Sequence, residues 1–116
     1  MITVTFCVND EMLTGFQISG HSGRSEAGTD IVCAAVSSAA ILTANTATEI
    51  LHLQADVKDE DGFMHFQAEP SDVNAAQPLL EGFRLHCKEL QKVYPQNIRC
   101  QTKKYSIKIR RCNHHD

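Results

Sequence analysis

A histidine and a cysteine on either side of a glycine-containing segment are the residues of this chain best suited to covalent chemistry. His21 follows a strand-like stretch, and Cys33 lies three residues after Asp30, where a helix is predicted to begin. A helix N-terminus carries unpaired N–H groups and a partial positive charge, and both favour a thiolate over a thiol. A nearby imidazole can accept and return a proton. Together these residues have the chemistry of a cysteine–histidine hydrolase.

Asp30 is predicted to cap this helix and to place Cys33 in its first turn. Its carboxylate could also accept a hydrogen bond from His21 and so orient the imidazole ring. A negative charge beside Cys33 would, however, oppose the effect of the helix dipole on the thiol. Capping alone and capping combined with orientation of His21 therefore both remain open.

Ser37 lies one helical turn beyond Cys33, on the same face of the predicted helix. Its hydroxyl could hydrogen-bond within the site, or it could bond back to the helix backbone as many helical serines do. Cys33 itself stands between Ile31-Val32 and Ala34-Ala35. A packed, unreactive thiol is therefore the alternative to a nucleophile.

The connection between the strand and the helix, residues 20–29, contains three glycines. Gly20, Gly23 and Gly28 predict either a mobile loop or a loop whose backbone must approach another group closely. In both cases the sequence distance between His21 and Cys33 does not prevent contact between them.

Alternation of apolar and polar residues predicts four strands. Residues 2–8 and 13–19 form a first hairpin, and residues 52–58 and 63–68 form a second one around the turn at residues 59–62. Residues 98–109 could supply a further edge strand. This pattern positions the candidate site after the second strand.

Two helices follow the two hairpins. The first is predicted to run from Asp30 to about Leu51, and the second begins between Asn74 and Gln77 and ends before Pro95. Gln77 is the preferred cap of the second helix, because Pro78 would then occupy the first helical position. The order β-β-α-β-β-α predicts one α+β domain over residues 1–116, with two layers and both helices packed on one face of a sheet.

Composition limits the classes of protein to which this chain can belong. Its 116 residues are 42% hydrophobic and 22% charged, with a formal net charge of −3. The negative charge disfavours direct nucleic-acid binding; the basic residues at 103–104 and 108–111 are either a solvated edge strand or a contact for RNA. The chain has no continuous apolar run of membrane length and no signal-peptide pattern at its start. A cytoplasmic protein without a membrane partner is expected.

The chain has five cysteines, an odd number, and no two of them have CxxC spacing. Those other than Cys33 are predicted to be reduced thiols packed as small hydrophobic residues. Cys112, His114 and His115 near the C-terminus are suitable metal ligands, but no second ligand pair has the spacing of a structural zinc site. Neither a metal nor a cofactor is expected.

The pattern around these residues resembles a known family. Gly20-His21, the glycine-containing segment and the stretch Asp30-Ile31-Val32-Cys33-Ala34-Ala35-Val36-Ser37 are similar to the ribosomal-processing cysteine protease Prp family. The opening hairpin, the Asp61-Gly62 turn and the helix that ends in Tyr94-Pro95 also resemble the layout of that family. The chain departs from it at Arg24 and Ala27, where more apolar character is expected, and at residues 110–116.

The resemblance implies a role for each matching residue. Cys33 matches the nucleophile, His21 the catalytic histidine, and Asp30 and Ser37 the supporting polar positions. Gly20, Gly23 and Gly28 fall in the loop that covers the site.

The resemblance further implies a homodimer that removes the N-terminal extension of a large-subunit bacterial ribosomal protein. The cut falls after two aromatic residues and before an alanine. The alternative is a binding module associated with the ribosome, in which Cys33 is structural or senses redox state.

Overall fold

The structure, a computed structural model, describes residues 1–20 and 27–104, with side chains for all of these except residues 27–30. Five strands and two long helices follow one another in the order β-β-α-β-β-α-β. The strands are β1 (Ile2–Asn9), β2 (Met12–Ser19), β3 (Ala55–Glu60), β4 (Phe63–Ala68) and β5 (Ile98–Lys104). The helices are α1 (Ala27–Asn45), which continues as a π-helical turn over Thr46–Ile50, and α2 (Val73–Val93), which follows a short 3₁₀ turn over Pro70–Asp72. The predicted α+β order is confirmed, and β5 extends it by one strand.

The strands form one sheet in the order β3-β4-β2-β1-β5. The two hairpins, β1–β2 and β3–β4, meet where β2 pairs antiparallel with β4. β5 runs parallel to β1 and starts with Ile98 beside Ile2. A parallel neighbour requires a crossover connection, and here α2 leads from β4 on one side of the sheet to β5 at the other edge.

Both helices cover the same face of the sheet. The ring of Phe83 on α2 lies 4.5 Å from that of Phe16 and 5.8 Å from that of Phe6, centroid to centroid. The ring of Phe16 also stacks on Phe66 at 5.5 Å. α1 lies beside α2 and buries a row of small and branched residues, namely Val32, Val36, Ala40 and Ala44. The predicted two-layer architecture is therefore confirmed.

The second helix begins earlier than its proline suggests. The structure starts α2 at Val73 and places Pro78 inside the helix, so the prediction that Gln77 caps the helix is wrong. The Gln77 side chain instead binds β2: its amide donates to the carbonyl of Leu13 at 2.6 Å, and its Oε1 accepts the Leu13 N–H at 3.1 Å. These bonds tie α2 to the sheet, which helps the helix to tolerate a proline near its start.

The cysteines do not all match their prediction. Cys33, Cys87 and Cys100 carry free thiols, but Cys7 is disulfide-bonded, so its prediction as a reduced thiol is wrong. Disulfide pairing depends on the distance between two cysteines in space and not on their sequence spacing. The absence of a CxxC pattern therefore does not predict whether a cysteine is paired. Cys7 lies on the sheet face opposite the helices, where Thr5, His65 and Gln67 are also buried.

One helical stretch, Ile31–Ile50, is long enough and apolar enough to cross a membrane by length and composition alone. A search for a continuous apolar run overlooks it, because serine, threonine and alanine interrupt the larger residues. A third of that stretch is buried inside the domain. Val32, Val36 and Ala40 belong to the same core cluster as the sheet. The apolar character of this stretch therefore serves, at least in part, the core of the domain.

Two glycines offer a matched test of packing between β2 and β4. A Cβ on Gly15 would collide with the backbone carbonyl oxygen of Phe66, whereas a Cβ on Gly82 in α2 would meet nothing. We expect Gly15→Ala to destabilise the fold by about 1–3 kcal/mol, since the neighbouring strand must shift. Gly82→Ala should raise the free energy of unfolding by about 0.5–1 kcal/mol, because alanine favours a helix.

Urea denaturation of both variants, at the same protein concentration, measures this difference. A Gly15→Ala protein as stable as the unsubstituted chain would show that the β2–β4 pairing is not as close as described.

Candidate active site

The helix that carries the candidate nucleophile begins earlier than its cap residue suggests. α1 starts at Ala27, so Asp30 lies inside the helix, and the prediction that Asp30 caps it is wrong. Gly28 also lies in α1 and not in a loop, contrary to prediction. An aspartate is favourable anywhere in a first helical turn, near the positive end of the dipole. A single glycine costs a helix only about 1 kcal/mol, which a helix of 19 residues can offset.

This earlier start changes the environment of Cys33. The residue lies in the second turn of α1 and not in the first. The dipole effect falls off within the first turn, and only the first four N–H groups of a helix lack partners inside it. The helix end is therefore a weaker source of oxyanion donors beside Cys33 than the sequence predicted.

The packing of α1 decides which of its residues reach solvent. Val32 and Val36 face the core, and Cys33 stands next to them, half-buried at the edge of the packed side. Ser37, one turn further on, is exposed. Cys33 and Ser37 line the same cavity of about 430 Å³, so the prediction that they share one face is confirmed.

The Ser37 hydroxyl makes no hydrogen bond with any residue that the structure describes. Three threonines further along the same helical stretch behave differently: Thr43, Thr46 and Thr48 each donate to the carbonyl four residues earlier, at 2.7–3.0 Å. The alternative in which Ser37 bonds back to its helix is therefore not observed. Its hydroxyl is available inside the cavity.

Three parts of the fold enclose this cavity. Its floor is apolar and comes from the sheet face that the helices cover. One side is α1, and the opposite side is the tip of the β3–β4 hairpin. The residues are Ile2, Ile18 and Met64 on the sheet; Cys33, Val36, Ser37 and Ile41 on α1; and Asp59 to Phe63 on the hairpin, with Gly20 at the end of β2. An apolar floor beside a thiol suits a peptide segment with large side chains next to the reacting carbonyl.

The end of β3 and the turn that follows it give the cavity a negatively charged side. Asp59, Glu60 and Asp61 are exposed and form no ion pair within the described part of the chain. Sequence reasoning identified this turn but not its place in the site. Only the pairing of β2 with β4 brings it to Gly20, whose N–H donates to the Gly62 carbonyl at 3.2 Å. Local sequence patterns carry no information about that long-range pairing.

Gly20 occupies a position that other residues would not tolerate. Its φ is +84°, and a Cβ there would collide with the carbonyl oxygen of Met1. The glycine thus lets β2 end against the first residue of the chain, at the rim of the cavity. The predicted need for close backbone approach is met at this residue.

Several predicted site residues lie outside the described part of the structure. His21 and Gly23 are among them, and so is the side chain of Asp30. His21 follows Gly20 directly in the chain, and Gly20 lines the cavity. No histidine stands among the lining residues that the structure describes, so a general base for Cys33 has to come from elsewhere.

Among residues 1–20 and 31–104, no three His, Cys, Asp or Glu side chains are grouped closely enough to hold a metal ion. Cys112, His114 and His115, the ligand types near the C-terminus, lie beyond the described residues. The cavity beside Cys33 offers a thiol, a hydroxyl and carboxylates on an apolar floor. This set can form and stabilise a covalent thioester on an extended substrate.

Known proteins are similar to this chain in sequence and in fold. A family model described as cysteine protease Prp matches residues 1–99. The ribosomal processing cysteine protease Prp of Staphylococcus aureus strain Mu50 is 32% identical over 106 residues, which cover 89% of this chain and all of that protein.

Two crystal structures of the S. aureus protease have the same fold. The one in complex with a substrate peptide has a TM-score of 0.81 at 29% identity, and the one with a covalently linked product peptide has 0.78 at 30%. Each match covers 89% of this chain and all of the other. The family model, the relative and the shared fold agree with the thiol in the cavity: the chain is a cysteine protease of the Prp family.

Proposed function

We propose that Cys33 is the nucleophile of this protease and that His21 is its general base. The observation that supports this most is the position of Cys33 on the wall of a cavity whose rim includes Gly20, the residue before His21. A sulfur atom that is half-buried and still faces a cavity can meet a substrate carbonyl. Of the three free cysteines that the structure describes, Cys33 is the one that lines this cavity.

In this mechanism the Cys33 sulfur attacks the carbonyl carbon of the scissile peptide bond, and His21 accepts the thiol proton. The imidazolium then donates that proton to the departing amine. Water hydrolyses the thioester, with His21 again as the base. Because Cys33 lies beyond the unpaired N–H groups of α1, we assign oxyanion stabilisation in part to the Ser37 hydroxyl. Asp30, one turn before Cys33, supports the site.

The proposed substrate is the N-terminal extension of a large-subunit ribosomal protein, cut after two aromatic residues. The crystallised S. aureus relative binds a substrate peptide, and its name describes ribosomal processing. The apolar floor formed by Ile2, Ile18 and Met64 suits aromatic rings. Burial of each ring contributes roughly 1.5–3 kcal/mol, enough for two rings to dominate selectivity. Such a substrate is made in the cytoplasm, which we propose as the site of action.

We further propose that the protease is a homodimer. The helices leave an apolar groove of about 580 Å³ between them, lined by Leu42, Leu79 and Phe83 among others. Leu42 is 68% exposed and Leu85 on α2 is 62% exposed. An exposed apolar surface of this kind is typical of a protein interface. The groove shares no lining residue with the Cys33 cavity, so a partner bound in it leaves that cavity open to substrate.

Direct binding of nucleic acid has no part in this proposal. Lys103 and Lys104 are exposed at the end of β5, which is an edge strand. Lysines at such an edge discourage unwanted strand pairing. The other basic residues near the C-terminus, Lys108, Arg110 and Arg111, lie outside the described residues.

Replacing the nucleophile should abolish cleavage without loss of the fold. Cys33→Ala removes the thiol, while Cys100→Ser, a substitution of another half-buried free cysteine, leaves the cavity untouched. We expect no product from Cys33→Ala and near-normal turnover from Cys100→Ser. The measurement is mass spectrometry of a peptide that carries two aromatic residues before an alanine.

Two outcomes would contradict this assignment. Turnover by a folded Cys33→Ala protein would mean that another residue is the nucleophile. Binding of the peptide by the unsubstituted protein without any cleavage would favour the non-enzymatic module instead.

Replacing the general base should slow the chemical step but leave peptide binding intact. We expect His21→Asn to lower the single-turnover rate by about 10²–10⁴-fold. His52→Asn is the matched control, because His52 is exposed and has a positive φ that asparagine tolerates. Rapid-quench kinetics gives the rate, and fluorescence anisotropy gives the affinity. An unchanged single-turnover rate for His21→Asn would mean that His21 has a structural role only.

The charged side of the cavity should affect substrate choice. A peptide with lysine near the cut should be processed faster than the same peptide with glutamate, and added salt should shrink the difference. Neutralising the turn with Asp59→Asn and Asp61→Asn should reduce the preference by about two- to fivefold, the scale of exposed charge pairs. Glu69→Gln, an exposed carboxylate away from the cavity, is the control. Equal kcat/KM values for both peptides at low salt would contradict this expectation.

The proposed dimer can be tested with two equally exposed apolar residues. Leu42 lies in the groove, whereas Val93, also 68% exposed, lies at the end of α2 outside it. We expect sedimentation to give a dimer for the unsubstituted protein and for Val93→Glu, and a monomer for Leu42→Glu, because a buried charge opposes association. A dimer that persists in Leu42→Glu would place the interface elsewhere.

A further inference from the structure

Two cysteines outside the active-site cavity lie against each other at the far edge of the domain. Cys87 is fully buried on α2, and Cys100 is half-buried on β5. Both are free, and their thiols are hydrogen-bonded to one another. They belong to different elements, so neither the alternation of β5 nor the helical repeat of α2 predicts their contact. Two free thiols in direct contact form a candidate site for oxidation.

The two thiols differ in reactivity. The hydrogen bond from Cys87 and the charge of Lys88 lower the pKa of Cys100, against the opposing effect of its partial burial. The hydrogen bond with Cys100 and burial raise the pKa of Cys87. Cys100 is therefore the more readily ionised and more exposed thiol of the two, while Cys87 is buried. This combination is that of an attacking cysteine next to a resolving one.

The surroundings hold the pair in place. The N–H of Cys100 donates to Oε1 of Gln91 at 2.6 Å, which fixes β5 against α2 one turn beyond Cys87. On its other side Cys100 is in register with Val4 of β1. A disulfide requires the two sulfur atoms to approach to about 2.05 Å. The two thiols are already in hydrogen-bonding contact, so the bond requires their sulfur atoms to come closer along that contact.

We propose that Cys87 and Cys100 form a reversible disulfide when the protein meets a low-molecular-weight disulfide. The Cys100 thiolate attacks one sulfur of the small disulfide, forms a mixed disulfide and releases one thiolate. Cys87 then gives its proton to that thiolate and attacks the sulfur of Cys100, releasing the second thiolate, which takes up the proton that Cys100 lost on ionising. In total, two protein thiols are oxidised by two electrons and one small disulfide is reduced to two thiols.

This bond would link α2 to β5 without touching the protease site. No residue of either element lines the Cys33 cavity in the described chain. The disulfide closes the loop of residues 87–100, and a closed loop restricts the unfolded chain. Oxidation should therefore raise the resistance of the domain to unfolding. It should also convert the two thiols into a disulfide that reductants can turn back into thiols.

The test uses the full chain with Cys33→Ser, which removes the competing thiol of the cavity, and oxidised glutathione as the oxidant. Trypsin cuts after Arg84, Lys88, Arg99 and Lys103, so the cysteines fall in the short peptides 85–88 and 100–103. We expect mass spectrometry without reduction to find these two peptides linked, and dithiothreitol to separate them. Peptide mapping distinguishes this bond from the one at Cys7.

Two variants then test the order of events. Cys87→Ser should accumulate glutathione on residue 100, because the attacking thiol has lost its resolving partner. Cys100→Ser should leave Cys87 unmodified, because that thiol is buried. The urea midpoint of the oxidised Cys33→Ser protein should lie above that of the reduced form.

The peptide map of the Cys33→Ser protein decides the proposal even if a second substitution prevents folding. Peptides 85–88 and 100–103 that remain unlinked, or that carry glutathione without a cross-link, would overturn it. Rapid modification of Cys87 in a folded Cys100→Ser protein would overturn the assigned order of attack.

Discussion

The packing of one aromatic ring between helix and sheet is the contact on which the rest of this domain depends. Phe83 of α2 lies against Phe6 of β1 and Phe16 of β2, and Phe16 in turn stacks on Phe66 of β4. Aromatic pairs of this kind add about 0.5–1.5 kcal/mol each beyond the burial of their area. The cluster joins both hairpins and α2 into one core. It therefore fixes the surface on which α1, the helix that carries the proposed nucleophile, must pack.

The cavity beside Cys33 is a consequence of how α1 fits on that surface. A row of alanines and valines lets the helix come close to the sheet, and Cys33 is carried to the edge of the contact, where it is only half-buried. The β3–β4 turn reaches the same place only because β4 pairs with β2. The site thus combines a helix position set by the core with a turn set by strand pairing, and neither element forms the cavity alone.

The sequence was sufficient for features that depend on neighbouring residues. Alternation located four of the strands, although β3 was predicted at residues 52–58 and is observed at Ala55–Glu60. The Asp61-Gly62 turn placed β4 at its observed start. Prediction from the sequence failed for features that depend on contacts between residues far apart in the chain. Gln77 serves as a link to Leu13 and not as a cap, and the contact of Cys87 with Cys100 unites two elements without a shared pattern. The acidic turn was recognised as a turn but not as part of the site. Cys33 and Ser37 were placed together correctly, because four residues along one helix is a local relation.

The earlier start of α1 has a direct consequence for how the thiol is activated. With Cys33 in the second helical turn, the helix dipole contributes little, and the backbone N–H groups near the sulfur are already part of the helical ladder. The carboxylates of Asp59 and Asp61 line the same cavity and offer no positive charge. In the proposed mechanism, proton transfer from the thiol therefore falls to the imidazole of His21, the group suited to this role at neutral pH. On that proposal, catalysis depends more on the histidine than it would with the cysteine at a helix N-terminus.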